Sequence, residues 1–359
     1  STYPPLGPDF SQAQLDRLLD QSTAMLNRFL DLAEAGIDWI AEIAKACRRR
    51  KIAPWVSVRM NDAHGANSWD ASYFNAPPQR DPRMRLTGRA LDPQNGTRRG
   101  WQTMNYERAE VRDYMWALVR ELVEDYDFEG LELDWWRMPL CCELPASAAA
   151  IDQITEWHRR VRNLTHRRAR KTGKPYPLGL RMPCDLDVLR TTGIDVDRLV
   201  REDLIDFISV SNQWQTTWDV PYDRLRDRLG GDIALYGCIE DAPNWMFAQT
   251  ADGGQRGYRL LSTSRELLRA NAAGKLAMGV DGIELFNFFC SDAKGTHGSA
   301  DERSAKYDEI GNLKDLATLR GRPKHYALAT TYNYWTHRFF EWAPQLPAAI
   351  EPGGWKPFE

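Results

Sequence analysis

Apolar residues recur at helical spacing through the first fifty positions. Leu15, Leu18, Leu19, Met25, Leu26, Phe29, Leu30 and Leu32 form one such set, and Ile37 to Ala46 form a second. The second run closes on Arg48-Arg49-Arg50, which puts cations at the negative end of a helix dipole. Trp55-Val56-Ser57-Val58-Arg59-Met60 then predicts a buried strand, and Asn61-Asp62-Ala63-His64-Gly65 opens a polar loop reaching toward Gly100. Trp101 to Met104 reads as a short strand. Asn105 reads as the N-cap of a helix carrying Val111, Met115, Leu118, Val119, Leu122 and Val123. Phe128 to Trp136 is the clearest strand of the chain. A helix over Ser147 to Arg170 leads to a strand at Leu178–Met182. Further strands are predicted at Asp206–Ser211, Ile233–Ile239 and Gly282–Phe288, with helical stretches such as Leu260–Ala272 between them.

Strands alternating with helices predict an α/β fold with a parallel sheet, and eight such units close into a (β/α)8 TIM barrel. Seven strands are read, so the expectation is that strand 1 lies upstream of Ser1, with Tyr326–Tyr332 as the alternative eighth strand. The barrel is expected over residues 1–320, followed by a C-terminal extension or linker over 321–359.

Composition narrows the function classes. The 359 residues carry 47 Lys and Arg against 50 Asp and Glu, so no basic excess points to nucleic acid. Arg159 to Lys171 is a charged run without aromatic interleaving and reads as a solvated helix face. No apolar run reaches the length of a membrane helix. Ser1-Thr2-Tyr3-Pro4-Pro5 is not a signal peptide and lacks an initiator Met, so a removed leader or a fragment is expected. The six cysteines make no C-x-x-C pair, and no metal-ligand, phosphate-loop or dinucleotide pattern occurs, so neither metal nor organic cofactor is expected. Trp is abundant, at 14 residues, and suits both core packing and sugar stacking.

Strand alternation sorts the candidate chemistry. Glu132, Asp134 and Trp136 share one face, and Leu131, Leu133 and Trp135 the other. In a barrel the apolar set packs on helices, while the acids enter the lumen near the C-terminal strand ends, where catalysis sits in this fold. Glu132 reads equally well as an ion-pair partner of Arg59 or Arg181. Glu240, ending the strand at 233–239, is the second candidate carboxyl, with loop capping as its bland alternative. Glu284 reads as a lumen ion-pair member. Asn61, Asp62 and His64, at a strand end, offer substrate hydrogen bonds or simple turn chemistry. Asn212 and Trp214, after another strand, are the amide-plus-indole material of a sugar site, and Trp136 adds a platform. The block Arg59, Asn61, Asp62, His64, Glu132, Trp136, Arg181, Asn212, Trp214 and Glu284 is therefore the expected binding set, around Asp134 and Glu240 as catalytic carboxyls.

The segment Gly130-Leu131-Glu132-Leu133-Asp134-Trp135-Trp136-Arg137 resembles the fourth barrel strand of TIM-barrel glycoside hydrolases, the group loosely related to α-amylase-like and family-10-like enzymes. Met104-Asn105-Tyr106 through Glu129, and Arg59-Met60-Asn61-Asp62, are similar to the same group, and the likeness spans about residues 36 to 290. It implies hydrolysis of a poly- or oligosaccharide, with the nucleophile at Asp134 in amylase-like relatives. In other clans it implies an acid/base after strand four and a nucleophile after strand seven, which Glu240 follows if strand 1 lies upstream. The sequence departs from the amylase pattern in having Glu132 where Arg is expected, and no acid directly after Arg181, although Asp185 is near. The resemblance also implies a secreted or periplasmic protein. Oligomeric state is not assigned. A carbohydrate-binding barrel without catalysis, and a carbohydrate lyase or isomerase, are the rival readings.

Overall fold

The computed structural model describes residues 23–24, 26–62, 77–86, 103–136, 139–211, 218, 220–240, 244–249, 255–261, 264–286, 288 and 307–327. The chain divides into two compact units: Ser1–Leu180 with Leu186–Asp206, and Arg181–Asp185 with Phe207–Glu359. The boundary thus falls within one strand.

In the first unit, helix α1 (Trp39–Arg49) begins at Asp38, whose carboxylate accepts the Ile40 and Ala41 N–H groups. Strand β1 (Trp55–Arg59) follows, then helix α2 (Ala109–Glu124) and strand β2 (Gly130–Asp134). Helix α3 (Ala148–Thr172) is capped by Ser147 and leads to strand β3 (Leu178–Met182), followed by helix α4 (Val196–Arg201). β1 and β2 run parallel, with Trp55 opposite Gly130, Ser57 opposite Glu132 and Arg59 opposite Asp134. The Leu131 N–H donates to Pro177 O at 2.9 Å, joining β2 to the start of β3. Leu131, Leu133 and Trp135 are completely buried on the far face of β2. Trp135 packs edge-on against Tyr106 at 4.9 Å and Trp157 of α3 at 6.3 Å between centroids. The apolar parity therefore meets helices, as the alternation predicts.

In the second unit, strand β4 (Phe207–Val210), helix α5 (Tyr222–Leu229), strand β5 (Ala234–Glu240), helix α6 (Arg265–Ala277) and strand β8 (Gly282–Phe286) continue the alternation, with a hairpin of β6 (Asn244–Gln249) and β7 (Gln255–Leu261) inserted before α6. β4 pairs parallel with β5, and β5 with β8, and the Ser211 N–H reaches Met182 O of β3. Ile239 packs with Leu268 and Ala272 of α6 and with Leu313 and Leu319.

The α/β class with parallel strands is what the sequence predicts, and six of its strands lie among the described residues. Three expectations change. Of the strand expected at Trp101–Met104, only Thr103 and Met104 are described, and there Met104 makes an isolated antiparallel bridge with Arg85 while Asn61 engages its N–H and C=O groups. The stretch expected to be helical from Leu260 ends β7 first; the helix starts at Arg265, where Ser264 supplies the cap. Asn105 caps only a turn, accepting the Glu107 N–H at 2.9 Å, and α2 begins at Ala109.

No helix among the described residues is long and apolar enough to cross a membrane.

Candidate functional site

Each unit presents one polar sheet face, and the two are described separately. In the first, parallel register stacks three layers along β1 and β2. Trp55 lies over Gly130, where a Cβ would meet its ring at 2.6 Å. Above it, Ser57 Oγ donates to Glu132 Oε1 at 2.6 Å. At the C-terminal ends, Arg59 sits opposite Asp134 and holds Asp62 at 3.0 Å. Asp134 is 1 % exposed, and its Oδ1 accepts the Trp136 N–H at 2.9 Å, a bond that turns the carboxylate back along the strand end. Trp136 is itself buried.

A neutral clamp surrounds this end. Asn61 donates from Nδ2 to Met104 O at 3.1 Å and to Leu140 O at 2.6 Å, and its Oδ1 accepts the Met104 N–H at 2.8 Å. The buried Tyr106 hydroxyl donates to Met60 O. Met60 N in turn donates to Asp134 O at 3.0 Å. Behind β2, Trp135 Nε1 donates to His158 Nε2 at 3.1 Å, while His158 Nδ1 meets Ile154 O at 2.8 Å. Those partners fix the imidazole as the Nδ1–H tautomer. Burial lowers its pKa to about 4, so it stays neutral.

In the second unit, Tyr236 lies over Gly282, with 2.7 Å to a would-be Cβ. Above it, Cys238 Sγ lies 3.7 Å from Glu284 Oε1. Arg181, 1 % exposed, approaches the same oxygen through Nε at 3.7 Å, donates from Nη2 to Ser211 Oγ at 3.2 Å, and lays its guanidinium 3.5 Å over the Phe286 ring. Glu240 ends β5 in register with Phe286.

The sequence-predicted site residues therefore fall as follows. Arg59, Asn61, Asp62, Glu132, Asp134 and Trp136 gather at the β1 and β2 ends of the first unit, with Asn61 engaged by backbone groups. Arg181 and Glu284 meet in the second. His64, Asn212 and Trp214 lie outside the described residues, as does the Glu240 side chain. Ser57, Cys238, Ser211 and Phe286 were not singled out by sequence. Ser57 was within reach of it, because strand parity puts it on the face of Arg59.

Chemically, a buried carboxylate oriented by a backbone N–H at a strand end suits proton transfer or attack on an electrophilic carbon. The Arg181–Glu284 pair suits hydrogen bonding to a ligand.

No family model matches the chain. A curated 1,4-alpha-glucan branching enzyme of Xanthomonas euvesicatoria pv. vesicatoria is 33% identical over 105 residues, covering 27% of this chain and 12% of the relative. One of Xanthomonas oryzae pv. oryzae is 32% identical over the same length and shares. The matches thus span about an eighth of those relatives. Among solved structures, a chitinase from Bacillus thuringiensis aligns with a TM-score of 0.45 at 11% identity, covering 81% of this chain and 54% of its own. A glycoside hydrolase family 18 N-acetylglucosaminidase from Paenibacillus barengoltzii aligns with a TM-score of 0.40 at 14% identity, covering 77% and 88%.

Proposed function

We propose that the chain is a glycoside hydrolase of the (β/α)8 kind, cleaving a poly- or oligosaccharide with Asp134 and Glu240 as its two carboxyls. The observation that carries this reading is Asp134: a buried carboxylate at the C-terminal end of a parallel strand, aimed by the Trp136 N–H and embedded in the Asn61 and Tyr106 clamp. Rigid second-layer support of that sort is what a reacting group requires. Burying a carboxylate for structure alone is costly.

In the reaction, one carboxyl protonates the glycosidic oxygen as the bond to the anomeric carbon breaks. The other attacks that carbon or deprotonates the water that does, and an oxocarbenium-like transition state develops between them. Water supplies the hydroxyl of the new reducing end and the proton of the leaving sugar.

The name of the curated relatives makes α-1,4-linked oligosaccharides the first substrates to try. The test compares wild type with D134N on maltohexaose, cellohexaose and chitohexaose. Turnover by wild type, with a loss of about 10³-fold or more in kcat for a normally folded D134N, is expected. Binding of a hexaose without turnover replaces this reading with a binding barrel.

A further inference from the structure

Two glutamates of the second unit meet arginines in different ways. Glu309 is fully buried and closed: Arg269 Nη2 lies 2.5 Å from Oε2, Arg265 Nε 3.2 Å from it, and Asn312 Nδ2 donates to Oε1 at 2.8 Å. That arrangement consumes the carboxylate, and Arg322 adds only a looser approach at 3.7 Å. Glu284 is open. Its side chain is 24% exposed, its cation stands 3.7 Å off, beyond the hydrogen-bonding range of a closed ion pair, and among the described residues Oε2 makes no hydrogen bond. The buried Arg181 is nonetheless immobilised by Ser211 and by the Phe286 ring. A guanidinium held this way steadies Glu284 without using up its acceptor capacity.

We infer that Glu284, steadied by Arg181, is the hydroxyl-accepting position of a subsite for a neutral sugar ring. A carboxylate accepts two hydroxyl hydrogen bonds and repels the acid group of a uronate, so the position selects neutral over acidic glycans. This rests on the carbohydrate reading above and adds to it a substrate class and the role of one residue in selecting it.

The test is titration calorimetry with maltohexaose, cellohexaose, chitohexaose and hexagalacturonate on catalytically silent D134N, with and without E284Q. A neutral hexaose should bind and the uronate should not. E284Q should weaken the bound hexaose about 10-fold or more, the loss of a charge-assisted hydrogen bond. Because the amide could disturb Arg181, E284D is measured too; it keeps the charge, and its affinity should fall between the two. Hexaose affinity within 2-fold of the parent in both variants overturns the inference and leaves the hydrolase reading standing. Tighter binding of the uronate also overturns it. Failure of every hexaose to bind D134N or to be cleaved by wild type removes both.

Discussion

The β1–β2 pair of the first unit and the β5–β8 pair of the second repeat one plan with different chemistry. Each starts with an aromatic ring over a glycine, Trp55 on Gly130 and Tyr236 on Gly282. Each continues with a small donor beside a glutamate, Ser57 on Glu132 and Cys238 on Glu284, and each ends at a candidate carboxyl position, Asp134 or Glu240. The difference lies in the supports. Around the first pair, buried neutral hydrogen bonds through Asn61, Tyr106 and the His158–Trp135 contact stand beside more exposed ion pairs, Arg59–Asp62 and Arg48–Glu129; in the second unit buried arginines reach Glu284 and Glu309. Equivalent backbone layers can therefore be secured by shape and dipoles or by charge, and the two solutions respond differently to substitution and to acid.

The largest effect is expected at the ionic support. Replacing Glu309 by Gln leaves the buried Arg269 without its main counter-charge, which costs about 3–5 kcal/mol and lowers Tm by on the order of 10 °C. Hydrogen bonds from Arg269 first, and then Asn312 and Arg265, hold the Glu309 pKa down to about 2 against an ordinary 4.5. A carboxylate with a depressed folded pKa stabilises fully above its unfolded value. The gap between wild type and E309Q should accordingly be constant above pH 5 and close as pH falls from about 4.5 toward 2. Thermal melts across that range measure it, and a gap that persists at pH 2 contradicts the ionic account.

The neutral support should fail in a different window. Burial lowers the His158 pKa from 6.5 to about 4, so the unfolded chain binds a proton that the folded chain refuses. The stability this represents is intact above pH 6.5 and lost as pH falls from 6.5 toward 4, on the order of 3 kcal/mol over the interval. Protonation would also remove the Nε2 lone pair that accepts Trp135 Nε1–H. H158Q keeps an acceptor but does not titrate, so its melts should lack the decline between pH 6.5 and 4 that wild type shows. Equal slopes for the two proteins would remove His158 as the source.

Much of this was legible in the sequence. β3 matches its predicted bounds, and β1, β2, β4, β5 and β8 fall within two residues of theirs at each end, because each strand carries apolar residues at alternate positions or in a short run. The parity of Glu132 and Asp134 against Leu131, Leu133 and Trp135 was also correct. What escaped was set by partners distant in the chain. Asn61 reads as a turn residue, and only the fold brings Met104 and Leu140, 43 and 79 residues onward, against its amide. His158 sits in a basic helix and gives no local sign of its bond to Trp135, 23 residues earlier. The β6–β7 hairpin does carry a local signal, Asp252-Gly253-Gly254, just ahead of the stretch Leu260–Ala272 whose apolar spacing reads as helix.

The smallest effect, and the sharpest on the shared plan, concerns its first layer. A Cβ on Gly130 meets Trp55 and one on Gly282 meets Tyr236, at nearly equal distances of 2.6 and 2.7 Å. The rings differ in their freedom to yield. Trp55 is 43% exposed on its strand, so solvent lies on one side of it. Tyr236 is half-buried and packs edge-on against the buried Phe207 at 5.7 Å, so displacing it disturbs a second ring. G282A should therefore destabilise by about 1–3 kcal/mol through overpacking, and G130A by less than about 1 kcal/mol. Paired urea titrations decide the matter. If the two alanines cost the same, the resemblance of the layers extends to their packing, and the contrast between the units is confined to the polar supports above them.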